Sequence, residues 1–226
     1  MYLLHIETST SICSVAVSKN DKLLAVVDLP EGMNHTAQLT PSIQSILKSC
    51  SLIPGDLGAI TVSSGPGSYT GLRVGSSTAK AMSYALKIPI IPVPTLEALA
   101  MAANIVHPSA DALLPMLDAR RNEVFMALYN GSMDMLIPPS SLILDQEAVL
   151  DLLSGYKAII ACGDGSWKLK THNYPYLTID QSIQSSAAHL VRPAWAYFEK
   201  GVTGDPMHFV PEYLKPPNIT EPRKTA

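Results

Sequence analysis

The stretch Gly65-Pro66-Gly67-Ser68-Tyr69-Thr70-Gly71, continued by Leu72-Arg73-Val74-Gly75, carries the most distinctive chemistry in this sequence. It follows a short apolar run and opens a helical one. Glycines let the backbone turn tightly, and free N–H groups at a helix start can cradle an anion. No Lys-Ser/Thr pair follows at Walker A spacing, and the glycines are out of register for G-x-G-x-x-G. The stretch reads either as a phosphate cradle or as a tight structural loop. Two acids make a second candidate. Glu7 closes the apolar run Leu3 to Ile6, and Asp118 closes Leu113 to Leu117. Such carboxylates, brought together, could do acid–base work or hold a metal and phosphate. The alternative is a common strand-acid-turn-strand pattern with no site. Asp118-Ala119-Arg120-Arg121-Asn122-Glu123 packs four charges into six residues. It is either a solvated hairpin turn or a polar recognition edge. Gly163-Asp164-Gly165 is a glycine turn after a strand. His35 stands beside a helix start, but a helical metal site wants a second ligand four residues on, and that position is Leu39. No Ser-His-Asp order stands out.

These residues need elements to hold them. Leu3 to Ile6, Ile12 to Val17 and Leu23 to Asp28 read as three antiparallel strands, with Lys19-Asn20-Asp21-Lys22 as a hairpin turn. Leu39, Ile43, Ile46, Leu47 and Cys50 form one helical stripe behind a capping Asn34, with Pro41 inside it. Ala59 to Val62 is a buried strand, and a helix from about Thr70 to Leu86 follows the glycine loop. On that helix Gly71, Gly75 and Ala79 recur every fourth residue, a ridge that lets another helix approach closely, inside the lobe or on a partner chain. Strand Ile88 to Val93 and helix Thr95 to Ala103 complete a first lobe. The pattern then restarts with strands Leu113 to Leu117, Val124 to Tyr129 and Met133 to Ile137. A helix Gln146 to Leu153, a strand Ala158 to Cys162 and a long helix Ser186 to Lys200 follow. The expected division is a lobe over 1–104, a second lobe over 105–205, and a proline-rich extended arm over 206–226.

Composition narrows the function classes. The chain has 226 residues, 47% hydrophobic and only 15% charged, with a net charge of −3. An average soluble domain is about 25% charged. Mean hydropathy is +0.18 and the pI near 6.0. This excludes a disordered chain and gives no electrostatic footprint for tight nucleic-acid binding. No stretch reads as a membrane span or signal peptide. Cys13, Cys50 and Cys162 lack CxxC spacing and read as reduced, buried thiols of a cytoplasmic protein. The charge deficit is local: the segment Gly32 to Leu86 carries only Lys48, Asp56, Arg73 and Lys80.

Several motifs together resemble the TsaB (YeaZ) family, the dimerisation subunit of the bacterial machinery that makes threonylcarbamoyladenosine in tRNA. They are Ile6-Glu7-Thr8-Ser9-Thr10 with Cys13-Ser14-Val15-Ala16, Asn34-His35-Thr36, Gly65 through Gly75, Pro94 to Ala100, Asp118-Ala119-Arg120-Arg121 with Glu123-Val124-Phe125, and Pro211-Glu212-Tyr213-Leu214. The resemblance implies an α/β, two-lobed fold of the actin, sugar-kinase and Hsp70-ATPase type, a duplicated ribonuclease-H-like unit. It implies no chemistry and no cofactor in this subunit, and no peptidase activity. ATP, metal and threonylcarbamoyl-adenylate would belong to partner subunits. The related catalytic subunit, TsaD, holds a metal through His-x-x-x-His; the equivalent helix here has His35 and Leu39. Family members often have Asp where Glu7 stands. Glu7, Gly65, Gly67, Ser68 and Asp118 would then be a vestigial nucleotide cleft. The implied interface lies on the two first-lobe helices, through Asn34, His35, Gln38, Ser42 and Ser45 on one and Gly71, Arg73, Gly75, Ala79 and Met82 on the other. It would bind a TsaD-like subunit or a second copy of the chain. A TsaE-like ATPase would join the complex, with tRNA reached only through it and no membrane involved. The competing expectations are an active small-molecule kinase or ATPase of this fold, built on Glu7, the glycine loop and Gly163 to Gly165, and an inactive homodimer.

Overall fold

The computed structural model describes residues 1–29, 32, 34–171, 174 and 176–215. Two five-stranded mixed sheets carry the chain. In the first, β1 (Tyr2–Glu7), β2 (Cys13–Lys19) and β3 (Lys22–Leu29) form an antiparallel meander. After α1 (His35–Ser49), β4 (Leu57–Ser63) pairs parallel to β1. After α2 (Tyr69–Leu86), β5 (Ile90–Val93) pairs parallel to β4, which gives the order β3-β2-β1-β4-β5. Helix α3 (Thr95–Val106) then leads to the second sheet. There β6 (Ala112–Asp118), β7 (Glu123–Asn130) and β8 (Met135–Ile143) repeat the meander. Past α4 (Gln146–Leu153), β9 (Ile159–Cys162) and β10 (Leu177–Asp180) add in parallel, and α5 (Val191–Glu199) closes the fold. The order β10-β9-β6-β7-β8 mirrors the first sheet strand for strand. The duplication read from two strands and an acid therefore covers all five strands.

Alternation along β1 builds the layers. Leu4 and Ile6 face α1 and α2 and share a core with Leu39, Ile43, Ile46 and Leu47. Leu3 faces the other way, with Ile91, Val93, Leu190 and Ala194. Helices α3 and α5 lie between the sheets and cross over: α3 lays Leu96, Leu99 and Ala103 on the second sheet, while α5 sits on the first. The expected division at residues 104 and 105 falls inside α3.

Three elements differ from the sequence reading. The long helix expected over Ser186 to Lys200 begins as a 3₁₀ turn, Ala187–Leu190. Pro193 favours this start, because it has no N–H to bond a carbonyl four residues back and is best tolerated in a first turn, where α5 places it. The strand expected over Met133 to Ile137 instead runs Met135–Ile143, through Pro138 and Pro139. It is an edge strand, where the missing N–H costs no ladder bond. Strand β10 is an addition. Of the proline-rich arm, residues 216–226 lie outside the described residues.

Helix α2 reaches its place by close approach. Ser68 caps it, accepting from Gly71 N at 3.2 Å, and Lys87 ends it at φ 57°. Thr8 Oγ1 donates to Gly71 O at 2.8 Å. A Cβ on Gly71 would overlap the Thr8 carbonyl oxygen, and one on Gly75 would overlap Thr8 Oγ1. Alanine at position 71 would gain up to about 1 kcal/mol of helix propensity but force backbone apart at roughly 1–3 kcal/mol or more. Gly71→Ala is expected to lower unfolding free energy by about 1–2 kcal/mol in denaturant melts, whereas Ser77→Ala on the exposed side should stay near wild type.

Candidate functional site

Two places gather the residues singled out above. The first is the cleft between the lobes, about 480 Å³, with Ser9, His35, Gly67, Ser68, Asp118 and Arg120 among its lining. Glu7 is not part of that lining but is bonded to it: it is 1% exposed, with its carboxylate accepting from Ser9 N at 2.6 Å. Burial raises its pKa above the usual carboxylate range, and the nearby Asp164 charge adds to this, against hydrogen bonds from Ser9 and Ser63. Asp118 is committed to structure. It accepts from Lys168 Nζ at 2.7 Å and from Arg120 N at 2.5 Å, and its own N–H donates to Asp164 Oδ1 at 2.9 Å. Lys168 is nearly buried, so Asp118 neutralises a desolvated ammonium. These bonds hold a hairpin tip where Arg120 and Arg121 both take left-handed conformations, φ 70° and 49°. That conformation costs roughly 1–2 kcal/mol per residue.

The glycine loop is likewise used internally. Ser68 N donates to Ser9 O at 2.6 Å, and Gly65 is buried against the backbone of Glu212 from the C-terminal arm. Of the two readings of this loop, the tight structural turn has direct support in these contacts. His35 is half-buried at the cleft edge, and Leu39, four residues on, is in the core. Among the described residues no group of three or more His, Cys, Asp or Glu side chains could hold a metal ion.

The second place is the outer side of α1 and α2. A groove of about 910 Å³ runs between them, with Ile43, Leu47, Leu52, Ile53, Ala81 and Met82 as its apolar lining and Thr40, Gln44, Lys48 and Ser77 at its polar positions. The expected interface residues divide by helical phase. Asn34, Ser45 and Arg73 are exposed, and His35, Gln38 and Met82 are half-buried. Ser42, Gly71, Gly75 and Ala79 are buried. Of the two packings open to the ridge Gly71, Gly75 and Ala79, the contacts seen are inside its own lobe, with Gly71 and Gly75 against Thr8. Thr40, Gln44, Ser77 and Ala81, absent from the expected set, line the groove. A helical wheel places them beside the apolar stripe, but only the pairing of the two helices makes a groove of them.

Comparisons with known proteins agree with the geometry. The family model "TsaD: tRNA N6-adenosine threonylcarbamoyltransferase" matches residues 30–219. The tRNA threonylcarbamoyladenosine biosynthesis protein TsaB of Bacillus subtilis is 33% identical over 95% of this chain and 94% of its own. YeaZ from Pseudomonas aeruginosa superposes with a TM-score of 0.78 at 24% identity, over 94% of this chain and 99% of its own. Component A of the (R)-2-hydroxyglutaryl-CoA dehydratase of Acidaminococcus fermentans shares the two-lobed fold, with a TM-score of 0.55 at 10% identity, over 88% of this chain and 98% of its own.

Two buried groups on β1 respond to pH with opposite sign. His5 is fully buried, its Nε2 2.8 Å from Ser18 Oγ, and burial pushes its pKa from 6.5 down to about 3. Its stabilising contribution is complete above 6.5 and is lost as pH falls towards 3, by about 1.4 kcal/mol per pH unit. Glu7 has a raised folded pKa, so its contribution is complete below its unfolded value of 4.5 and is lost as pH rises through the folded one. Thermal melts across pH should show His5→Leu flattening the acid limb. Glu7→Gln should gain stability relative to wild type as pH rises from 5 to 8; a parallel pair of curves would contradict the assignment.

Proposed function

The chain belongs to the TsaB family and so takes part in threonylcarbamoyladenosine synthesis, and we propose that it does so as a non-catalytic scaffold that docks a TsaD-type catalytic subunit on the α1–α2 face. The observation that carries this is the groove together with its surroundings. The outward residues Thr36, Ala37, Thr40, Gln44 and Ser45 of α1, and Ser77, Ala81 and Ala85 of α2, are exposed and uncharged. A free surface helix would place charge there. Charge depletion around a well-formed apolar depression is the composition of an interface core. The same face suits pairing of two copies, which the catalytic subunit would displace.

The cleft supports the non-catalytic half of this reading. Asp118 is paired with Lys168, Glu7 is buried on Ser9, and Ser68 caps a helix. These three groups already have structural work, which supports ATP, metal and the threonylcarbamoyl donor belonging to partner subunits, including a TsaE-type ATPase. A net charge of −3 fits a subunit that meets tRNA only within the assembly.

Ala81 tests the docking face because it is exposed and lines the groove. Ala81→Arg should leave unfolding free energy within about 0.5 kcal/mol of wild type. Its affinity for the TsaD-type subunit in calorimetry should fall by at least a hundredfold. A wild-type affinity in the folded variant would refute the assignment.

A further inference from the structure

The segment following α5 crosses both lobes. Phe209 is buried in the first-lobe core, and Lys80 of α2 donates to its carbonyl oxygen at 2.9 Å. Glu212 N donates to Ser64 O at 2.7 Å, which lays the chain against the glycine loop. A side chain at Gly65 would collide with the Glu212 carbonyl, so loop and segment touch backbone to backbone. Tyr213 packs on Tyr69, the first residue of α2, with ring centroids 4.8 Å apart. The Arg73 guanidinium lies 4.4 Å from the centroid of the same ring. The next two residues leave the first lobe. Leu214 packs on the second-lobe cluster of Leu96, Leu117 and Phe125, and Lys215 pairs with Glu123 at the foot of the strained hairpin.

We propose that Phe209–Lys215 is a strap that couples the second lobe to the start of α2. Consecutive residues, Tyr213 and Leu214, hold opposite sides of the cleft mouth. The strap is short and its first part is bonded through the backbone, so displacement of Leu214 pulls on the Tyr213–Tyr69 contact. Tyr69 begins the helix whose outer face forms the groove. Changes at the hairpin of residues 119–123 therefore reach α2 through the strap, by a route separate from the β1–β2 turn. The energy is modest: these contacts are one aromatic pair and one partly exposed ion pair. That scale suits an element that opens locally while the sheets stay folded.

The coupling is read by amide hydrogen exchange on the isolated full-length chain. No partner is present, so the strap and the docking face can fail separately. Leu214→Ala removes packing on the second-lobe cluster. It should nevertheless speed exchange over residues 65–72 of the first lobe by threefold to tenfold. Tyr213→Ala removes the first-lobe contact and should speed exchange over 119–124 of the second. Val210→Ala, on an exposed side chain of the same segment, should change neither. Effects confined to the lobe that each side chain touches would overturn the strap. A uniform rise that includes β1 and β6 would overturn it too, since the segment would then be ordinary core.

Discussion

The seat of α2 on the turn after β1 is the constraint on which the rest of the structure depends. Backbone meets backbone there: Thr8 O lies against Gly71, and Ser9 O accepts from Ser68 N at 2.6 Å. Such contact is possible only where the helix has no side chain on the facing side. Its consequences run outward in two directions. Towards the cleft, it occupies the start of α2 and the floor of the glycine loop. Towards solvent, it fixes the rotation of α2, and so decides that Ser77 and Ala81 line the groove with α1 while Ala79 and Gly75 are buried. A rotation of one residue, about 100°, would exchange these roles.

The cleft gives its two acids different surroundings. Glu7 is buried among Ser9 and Ser63 and is disfavoured as a charge. Asp118 neutralises Lys168, which is 5% exposed on its side chain. One acid is withdrawn by desolvation and the other by an ion pair. The left-handed Arg120 and Arg121 are strained, and the Asp118 bonds together with the Lys215–Glu123 contact offset that strain.

The low charge of the chain has a physical location. Burial accounts for part of it, in β4 and the inner faces of the two helices. The remainder sits on exposed positions of α1 and α2, where Thr, Ser, Ala and Gln outnumber the charged Lys48 and Arg73. Small uncharged side chains lose little rotamer entropy on contact and leave no ion to desolvate. Covering a surface of that composition costs less than covering a charged one.

Much of the fold was legible in the amino-acid order. Short apolar runs marked β1, β6 and β7, alternation marked β2, the 3.6-residue stripe marked α1, and the capping Asn34 stands where that helix begins. These are local signals, set by backbone geometry within a few residues. The recurrence of strand and acid foretold the duplicated sheet order, although β10 is too short and half-buried to have declared itself. The small residues of α2 announced close approach, and the sequence by itself determined that something must come near Gly71 and Gly75. It did not determine what. Helical spacing is indifferent to whether the neighbour is a partner chain or Thr8 of the same lobe, 63 residues earlier. Only the tertiary structure decided that, because the phase of α2 is set by what β1 presents to it. The groove, the crossing of α3 and α5 between sheets, and the strap from Phe209 to Lys215 share this property: each joins residues far apart in the chain, where no local period reaches.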